Sequence, residues 1–304
     1  MTTEELKNIK ARLEIRAGLI SAVRAFFDSR GFMEVSTPVL INAPAPEEYI
    51  EGISAAAGFL RTSPELQMKQ MVCAGYEKIY QLGPCFRKGE FGSRHRPEFT
   101  MLEWYQTDID YKELMDFTFE LIKESVFALK ASYEIEYQNE TVDFSQAPEI
   151  INVADAYQRF TGKSVENADL TDEFDTLMVD CIEPELGKGK MTFLKDYPAN
   201  RAALARLKAD NKEVAERWEL YVCGMELANA YSELTDPREQ RMRFAEARRV
   251  RKTNGFVEYP EAEEFFAAME KGMPECAGCA LGIDRLVMLL SDSPDIGFIN
   301  PDFA

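Results

Sequence analysis

Two periods of hydrophobic recurrence divide this chain, and each switch between them marks an element. From Glu4 to Arg30, Leu13, Ala17, Ile20, Val23 and Phe27 recur on one face at helical spacing, and Gly31 supplies the stop. The stretch from Asn42 to Gly58, with Pro44, Pro46 and Gly52, reads as a loop or flap. Thr62-Ser63-Pro64 opens a second helix with a hydroxyl cap and a first-turn proline, and Glu65 to Ala74 continue it. The apolar run KIYQLGPCF then reads as a strand ending at Phe86-Arg87. A polar loop holding Gly89, Gly92, Arg94, His95 and Arg96 follows, and a return strand begins at Phe99. Strand side chains alternate, so Phe99, Met101, Glu103 and Tyr105 share one face while Thr100, Leu102 and Trp104 share the other. A carboxylate in line with two aromatics on such a face implies that the face lines a site.

Asp110 to Lys130 is a second long amphipathic helix, and Asn139 to Lys190 reads as a helical insertion. Trp218 to Leu234 predicts a hairpin turning at Cys223-Gly224. Across that turn Glu219 and Glu226 fall on one face of adjacent strands, within reach of a shared hard cation. Asn229, Tyr231 and Glu233 have the opposite parity, so a bulge near Ala228 is required to turn all of them to one pocket. This order of elements predicts an α+β fold, an antiparallel sheet flanked by helices.

With 304 residues and 46% hydrophobic content, the chain is long enough for one large core, and one domain over 1–304 is expected. It shows no charged-then-apolar leader and no apolar run long enough for a bilayer, which predicts a cytoplasmic protein without membrane contact. Six scattered cysteines predict reduced thiols. Cys276 and Cys279 form a CxxC, but with one histidine in the chain a four-ligand zinc site is poorly supplied. The net charge of −18 disfavours extended binding to folded RNA, which rests on a cationic footprint. The basic run Arg238 to Lys252 reads as a solvated helix face offsetting neighbouring acids, with a docking patch for an acidic protein as the alternative.

The segment FRKGEFGSRHRPEFTMLEWY, Phe86 to Tyr105, resembles motif two of the class II aminoacyl-tRNA synthetases, in wording close to the lysyl branch. Four further segments resemble the family in its order: Ile15 to Arg30 leading into GFMEVSTPVL (motif one), RTSPELQMK and ELANAYSELTD (lysine-binding segments), and GCALGIDRLVMLL (motif three). The resemblance implies ATP-dependent activation of a carboxylic acid as its adenylate, with magnesium, in a homodimer. It assigns Arg87 to the substrate carboxylate and α-phosphate, a double contact that suits a planar guanidinium. Arg285, following Gly282-Ile283-Asp284 at a strand-to-helix junction, is assigned to the γ-phosphate. Phe99 and Arg285 are similar to the pair that sandwiches adenine. Lys88, Gly89, His95, Arg96, Leu227 and Gly282 complete the nucleotide contacts, and Glu219 and Glu226 hold magnesium. Two positions depart from the family pattern: Gly89 stands where Arg-x-Glu has its glutamate, with Glu90 beside it, and Arg96 stands where asparagine is common.

On the substrate side the resemblance implies Ser63, Pro64, Glu65, Glu103, Tyr105, Asn229, Tyr231 and Glu233. Glu65 and Glu103 would hold an amino group near the reacting end, and Tyr105 and Glu233 the distal ammonium, since a desolvated cation needs paired charge. Ala280, where lysyl-tRNA enzymes carry glycine, and the compact length are similar to the paralogous branch that attaches β-lysine to a lysine of elongation factor P. That likeness, the acidic charge and the lack of chain for an anticodon-binding domain imply that protein as the acceptor, without stable tRNA binding. A compact lysyl-tRNA ligase and a non-catalytic lysine-sensing paralogue are the alternatives; intact Arg87, Arg285, Glu219 and Glu226 count against the sensor.

Overall fold

Eight strands form the central sheet of this computed structural model, which describes residues 2–171 and 173–300. They are β1 (Met33–Glu34), β2 (Lys78–Phe86), β3 (Glu98–Thr107), β4 (Glu149–Asn152), β5 (Thr192–Lys195), β6 (Arg217–Val222), β7 (Met225–Ser232) and β8 (Cys276–Gly282). Their spatial order is β1-β2-β3-β8-β7-β6-β5-β4, and only β1 and β4 run parallel to their neighbours. Helices lie on the sheet, giving the α+β class that the element order predicts.

The two faces of the sheet have opposite characters, and strand parity is the cause. One face presents Leu102, Trp104, Leu220, Ala228, Ala230, Ala277, Cys279 and Leu281 to the main core. The helices Thr3–Ser29, Tyr111–Lys130 and Ile283–Leu290 close this core. Within it Phe27 stacks on Tyr80 at 4.5 Å and meets Trp104 edge-on at 5.6 Å, while the Trp218 indole donates to the Tyr111 carbonyl at 2.6 Å. Asp110 caps the Tyr111–Lys130 helix in a full capping box with Glu113. The other face carries Glu103, Tyr105, Glu219, Asn229, Tyr231 and Ala280, and there the cavity lies.

The hairpin turns where the pattern places it, with Cys223 at φ 50° and Gly224 at φ 64°, the left-handed pair of a tight two-residue turn. The expected bulge is also there. Leu220 pairs with Ala228 and Tyr221 with Glu226, which leaves Leu227 as the extra residue.

The reading of Asn139 to Lys190 as a helical insertion needs correcting at its start. Glu134–Tyr137 and Glu140–Asp143 form an antiparallel hairpin, and β4 follows before the helices begin at Val153. Ile135, Tyr137 and Val142 carry a buried period-two pattern around a turn at Gln138-Asn139, and a boundary drawn at Asn139 cuts that pattern in two. Within this stretch Asp172 lies outside the described residues. The stretch from Asn42 to Gly58, read as loop, contains the strand Ser54–Ala55, which joins Leu40–Ile41 and Gly58–Leu60 in a sheet of their own and leaves the flap between Ile41 and Ser54.

The basic helix, Pro237–Thr253, is offset by acids: Arg243 pairs with Glu239, Arg248 with Glu261, Arg249 with Glu246 and Lys252 with Glu258. Arg251 instead turns inward. All six cysteines are free, and among the described residues no cluster of three or more metal-ligating side chains occurs. No described helix is long and apolar enough to cross a membrane.

One buried ion pair ties the first helix to the last strand-to-helix junction. Arg16 donates to Asp284 and, at 2.5 Å, to Thr100 Oγ1; Asp284 also accepts from the Thr100 amide at 2.6 Å and from Asn300 at 3.0 Å. Removing one partner of such a pair leaves an uncompensated charge, so Asp284→Ala is expected to cost about 3 kcal/mol. The exposed Arg24–Glu34 pair is a control: Arg24→Ala should cost under about 1 kcal/mol. Urea unfolding of the two variants measures the contrast.

Candidate active site

Strands β3, β8, β7 and β6 lie side by side, and their cavity-facing residues form one continuous wall around ≈ 340 Å³. Its two ends differ in charge.

At one end the groups are cationic. Arg87, at the end of β2, sits with its guanidinium 5.0 Å from the centre of the Phe99 ring. Arg285 opens the Ile283–Leu290 helix and donates to the Glu226 carbonyl at 2.7 Å. Its other nitrogen meets His95 Nε2 at 2.7 Å, so the imidazole accepts there and carries its proton on Nδ1. Burial, together with Arg285, holds the His95 pKa below its ordinary value, as an acceptor role requires. Arg96 lines the mouth and reaches Asp295 at 3.2 Å, and Arg94 holds the hairpin turn through the Gly224 carbonyl at 2.6 Å.

Between the ends lie the hairpin glutamates. Glu219 is fixed on both oxygens, accepting from Tyr197 and Tyr221 at 2.6 Å each and from Arg217 at 2.5 Å. Burial raises the Glu226 pKa, and the Glu219 charge adds to it. Glu183 behind them is pushed up to about 7 by burial and by the same two carboxylates.

The far end is anionic. Glu103 accepts from Ser63 Oγ and Tyr105 OH, each at 2.7 Å. Lys69, itself buried, reaches Glu65 and Glu233 at 2.5 Å each. Burial opposes the Lys69 charge, but Glu233 and Glu65 more than offset it and raise its pKa. Ala280 pairs across the sheet with Glu103 on one side and Asn229 on the other, so its methyl lies in the middle of this end. Gly278 passes beneath Tyr105, where an added Cβ would fall 2.6 Å from Glu233 Oε1.

Several polar atoms in the wall lack a partner among the described residues, at both ends of the cavity. Arg87 Nε and Arg217 Nε are unmet donors; Asn229 Oδ1 and Glu233 Oε1 are unmet acceptors. Buried polar groups are rarely left so. With Arg87 and Arg285 at one end and Glu65, Glu103 and Glu233 at the other, the wall fits a ligand that is anionic at one end and cationic at the other.

Residues 2–300 match the family model of the tRNA synthetases class II (D, K and N). The chain belongs to that family. It is 39% identical over 295 residues to an elongation factor P–(R)-β-lysine ligase of Proteus mirabilis, covering 92% of this chain and 90% of that protein. A ligase of the same name from Photorhabdus laumondii is 38% identical with the same coverage. A lysine–tRNA ligase of Prochlorococcus marinus is 36% identical over 94% of this chain, which spans 61% of that protein.

Against the class II pattern, most residues singled out in the sequence share this one cavity: Ser63, Glu65, Arg87, His95, Arg96, Phe99, Glu103, Tyr105, Glu219, Glu226, Leu227, Asn229, Tyr231, Glu233, Ala280, Gly282 and Arg285. Three do not reach its wall. Pro64 is buried ahead of the Glu65–Cys73 helix, Gly89 takes a turn at φ 78°, and Lys88 points to Glu51 at 3.0 Å. The sequence reading gave no role to Arg94, which it named in the polar loop, and passed over Glu47, Lys69, Glu183 and Arg217. Lys69 was visible as the i+4 partner of Glu65, and Arg217 as the same-face neighbour of Glu219. Glu183 had no such signal.

The anionic end carries its charge under strain, and this gives it a pH dependence. Burial and the Glu65 charge raise the Glu103 pKa to about 8; burial raises Glu233 to about 7, with Lys69 opposing. Folded carboxyls with raised pKa keep protons that the unfolded chain has already released. Their stabilising contribution is complete below the ordinary value of 4.5 and is lost as pH rises through 7 to 8. An ammonium ligand favours the ionised forms, so its binding should release protons and tighten from about pH 6 to about pH 8. Calorimetric titration of L-lysine in buffers of different ionisation enthalpy measures both effects.

Proposed function

We propose that this protein activates β-lysine, or lysine less efficiently, with ATP and passes the aminoacyl group to a lysine side chain of elongation factor P. The observation that carries this reading is the division of charge along one cavity wall. Arg87, with an unmet Nε donor, and Arg285 stand at one end, and the buried carboxylates Glu65, Glu103 and Glu233, the last with an unmet Oε1 acceptor, stand at the other, as an aminoacyl-adenylate with a distal ammonium requires. The relatives' names agree with it, and the −18 charge disfavours RNA as the acceptor.

In this reading the substrate carboxylate attacks the α-phosphorus of ATP and pyrophosphate leaves, giving the aminoacyl adenylate. An amine of the acceptor then attacks the carbonyl carbon, and AMP leaves as the amide forms. Arg87 holds the two reacting anions together, and its charge offsets what builds between them. Arg285, braced by His95 and the Glu226 carbonyl, orients the triphosphate tail. Phe99 offers a flat surface to adenine.

Glu219 and Glu226 fit magnesium. Both are oxygen donors, the Glu226 carboxylate is disfavoured by burial and by the Glu219 charge in a way a cation would relieve, and magnesium characteristically takes one or two protein carboxylates and fills its remaining positions with phosphate and water. When bound it would neutralise charge on the phosphates. The Glu65, Glu103 and Glu233 group receives the ammonium ends, with Ser63, Tyr105, Asn229 and Tyr231 around them.

Arg87→Ala should lower ATP–pyrophosphate exchange by two to three powers of ten, about 2.7–4 kcal/mol by analogy with a deleted oxyanion donor, with an unchanged melting temperature. Near-normal exchange in the folded variant contradicts the role. The acceptor is tested by incubating the protein with ATP, radiolabelled β-lysine, elongation factor P and lysine tRNA together. Label on the protein, stable to ribonuclease, is expected. Ribonuclease-sensitive label would instead favour the tRNA-ligase reading, which the 36% identity to a lysine–tRNA ligase keeps in view.

Ala280 bears on the isomer. Its methyl, between Glu103 and Asn229, narrows the space beside the substrate α-carbon and disfavours an α-amino group. One methyl in a pocket discriminates by about 1–3 kcal/mol. Ala280→Gly should therefore raise kcat/KM for α-lysine relative to β-lysine several-fold in the exchange assay, and an unchanged ratio would place isomer selection elsewhere.

A further inference from the structure

One carboxylate in the cavity wall comes from the flap. Glu47 lies in the flap between Ile41 and Ser54, and its side chain forms part of the cavity lining. Its carboxylate makes no hydrogen bond or ion pair among the described residues, whereas those of Glu65, Glu103, Glu219 and Glu233 all have at least one partner within 2.7 Å. Its backbone is fixed in contrast. The inward-turned Arg251 donates to the Glu47 carbonyl at 2.7 Å and to the Ile50 carbonyl, with its guanidinium 4.1 Å from the centre of the Tyr259 ring. Tyr259 OH accepts from the Gly52 amide at 2.6 Å. The Lys88 amide donates to the Glu51 carbonyl at 2.7 Å, which joins the flap to the loop that follows Arg87. A main chain held this firmly around a free carboxylate aims that carboxylate at something outside the protein.

We infer that Glu47 binds the ammonium group nearest the reacting carboxyl of the substrate and makes the site prefer an acid that carries an amino group there. This rests on the reading of the cavity as a site for lysine-type acids. The position follows from the charges that surround Glu47. Arg87 and Arg217 attract it, Glu65 and Glu90 repel it, and all of them line the same cavity, which sets Glu47 in the company of the arginine assigned to the substrate carboxylate and the first acid of the ammonium end. Burial raises its pKa, and Glu65 and Glu90 add to the rise against Arg87 and Arg217, neither of which pairs with it. Lys69 already serves Glu65 and Glu233, and it does not serve Glu47.

The test compares β-lysine with ε-aminocaproate, which keeps the distal ammonium and lacks the amino group near the carboxyl. Glu47→Gln preserves the side-chain shape and leaves the Arg251 contacts, which are to main chain, in place. KM for β-lysine in ATP–pyrophosphate exchange is expected to rise at least tenfold, with KM for ATP and the inhibition constant of ε-aminocaproate unchanged. Glu47→Asp, which keeps the charge, should recover part of the loss. Equal weakening of both acids, or no change in either, overturns the inference while leaving the function intact. A raised KM for ATP or a raised magnesium requirement overturns it too, by assigning Glu47 to the nucleotide. Wild-type protein that shows no exchange with any lysine-type acid removes the functional reading itself, and the inference with it.

Discussion

A single extra residue in β7 decides what the cavity can hold. Strand side chains alternate strictly, so Glu226 and the set Asn229, Tyr231 and Glu233 would face opposite sides of a regular strand. The bulge at Leu227, opposite the Leu220–Tyr221 step, brings them to one side. Without it, either Glu226 beside Arg285 or the set Asn229, Tyr231 and Glu233 would turn into the core shared by Trp104 and Trp218. An unpaired carboxylate there costs several kcal/mol. The bulge thus lets one strand serve both halves of the wall.

The same wall concentrates like charges, and internal partners keep them tolerable. Lys69 bridges Glu65 and Glu233, Arg217 and two tyrosines hold Glu219, and Ser63 and Tyr105 hold Glu103. These contacts fix the carboxylates in place without cancelling them, as the raised pKa values of Glu103, Glu226 and Glu233 show. The remaining deficit of positive charge is what a cationic substrate and a divalent ion would supply. Fixed charges of this kind cost little reorganisation when a ligand arrives.

Much of this was legible in the sequence because it depends on local rules. The alternation in Phe99 to Tyr105, the turn at Cys223-Gly224 and the required bulge follow from period and turn chemistry alone. Pairings that depend on distant chain were not legible in the same way. Arg251 reads as one more charge in a basic run, yet it holds carbonyls some two hundred residues away. Glu47 sits in a stretch whose proline and glycine signal only a loop. The Gln138-Asn139 hairpin was lost for a different reason: a boundary placed inside it left too few residues on either side for period two to show.

The central claim is that one sheet face is divided into a phosphate-facing half and an ammonium-facing half, with Ala280 and the hairpin glutamates between them. A crystal structure with a non-hydrolysable sulfamoyl analogue of β-lysyl-adenylate and magnesium measures this most directly. The account predicts adenine against Phe99, the sulfamoyl group within hydrogen-bond distance of Arg87, and the distal ammonium beside Tyr105 and Glu233. An analogue bound in the reverse sense, or with its ammonium groups turned to solvent away from Glu65, Glu103 and Glu233, would contradict it.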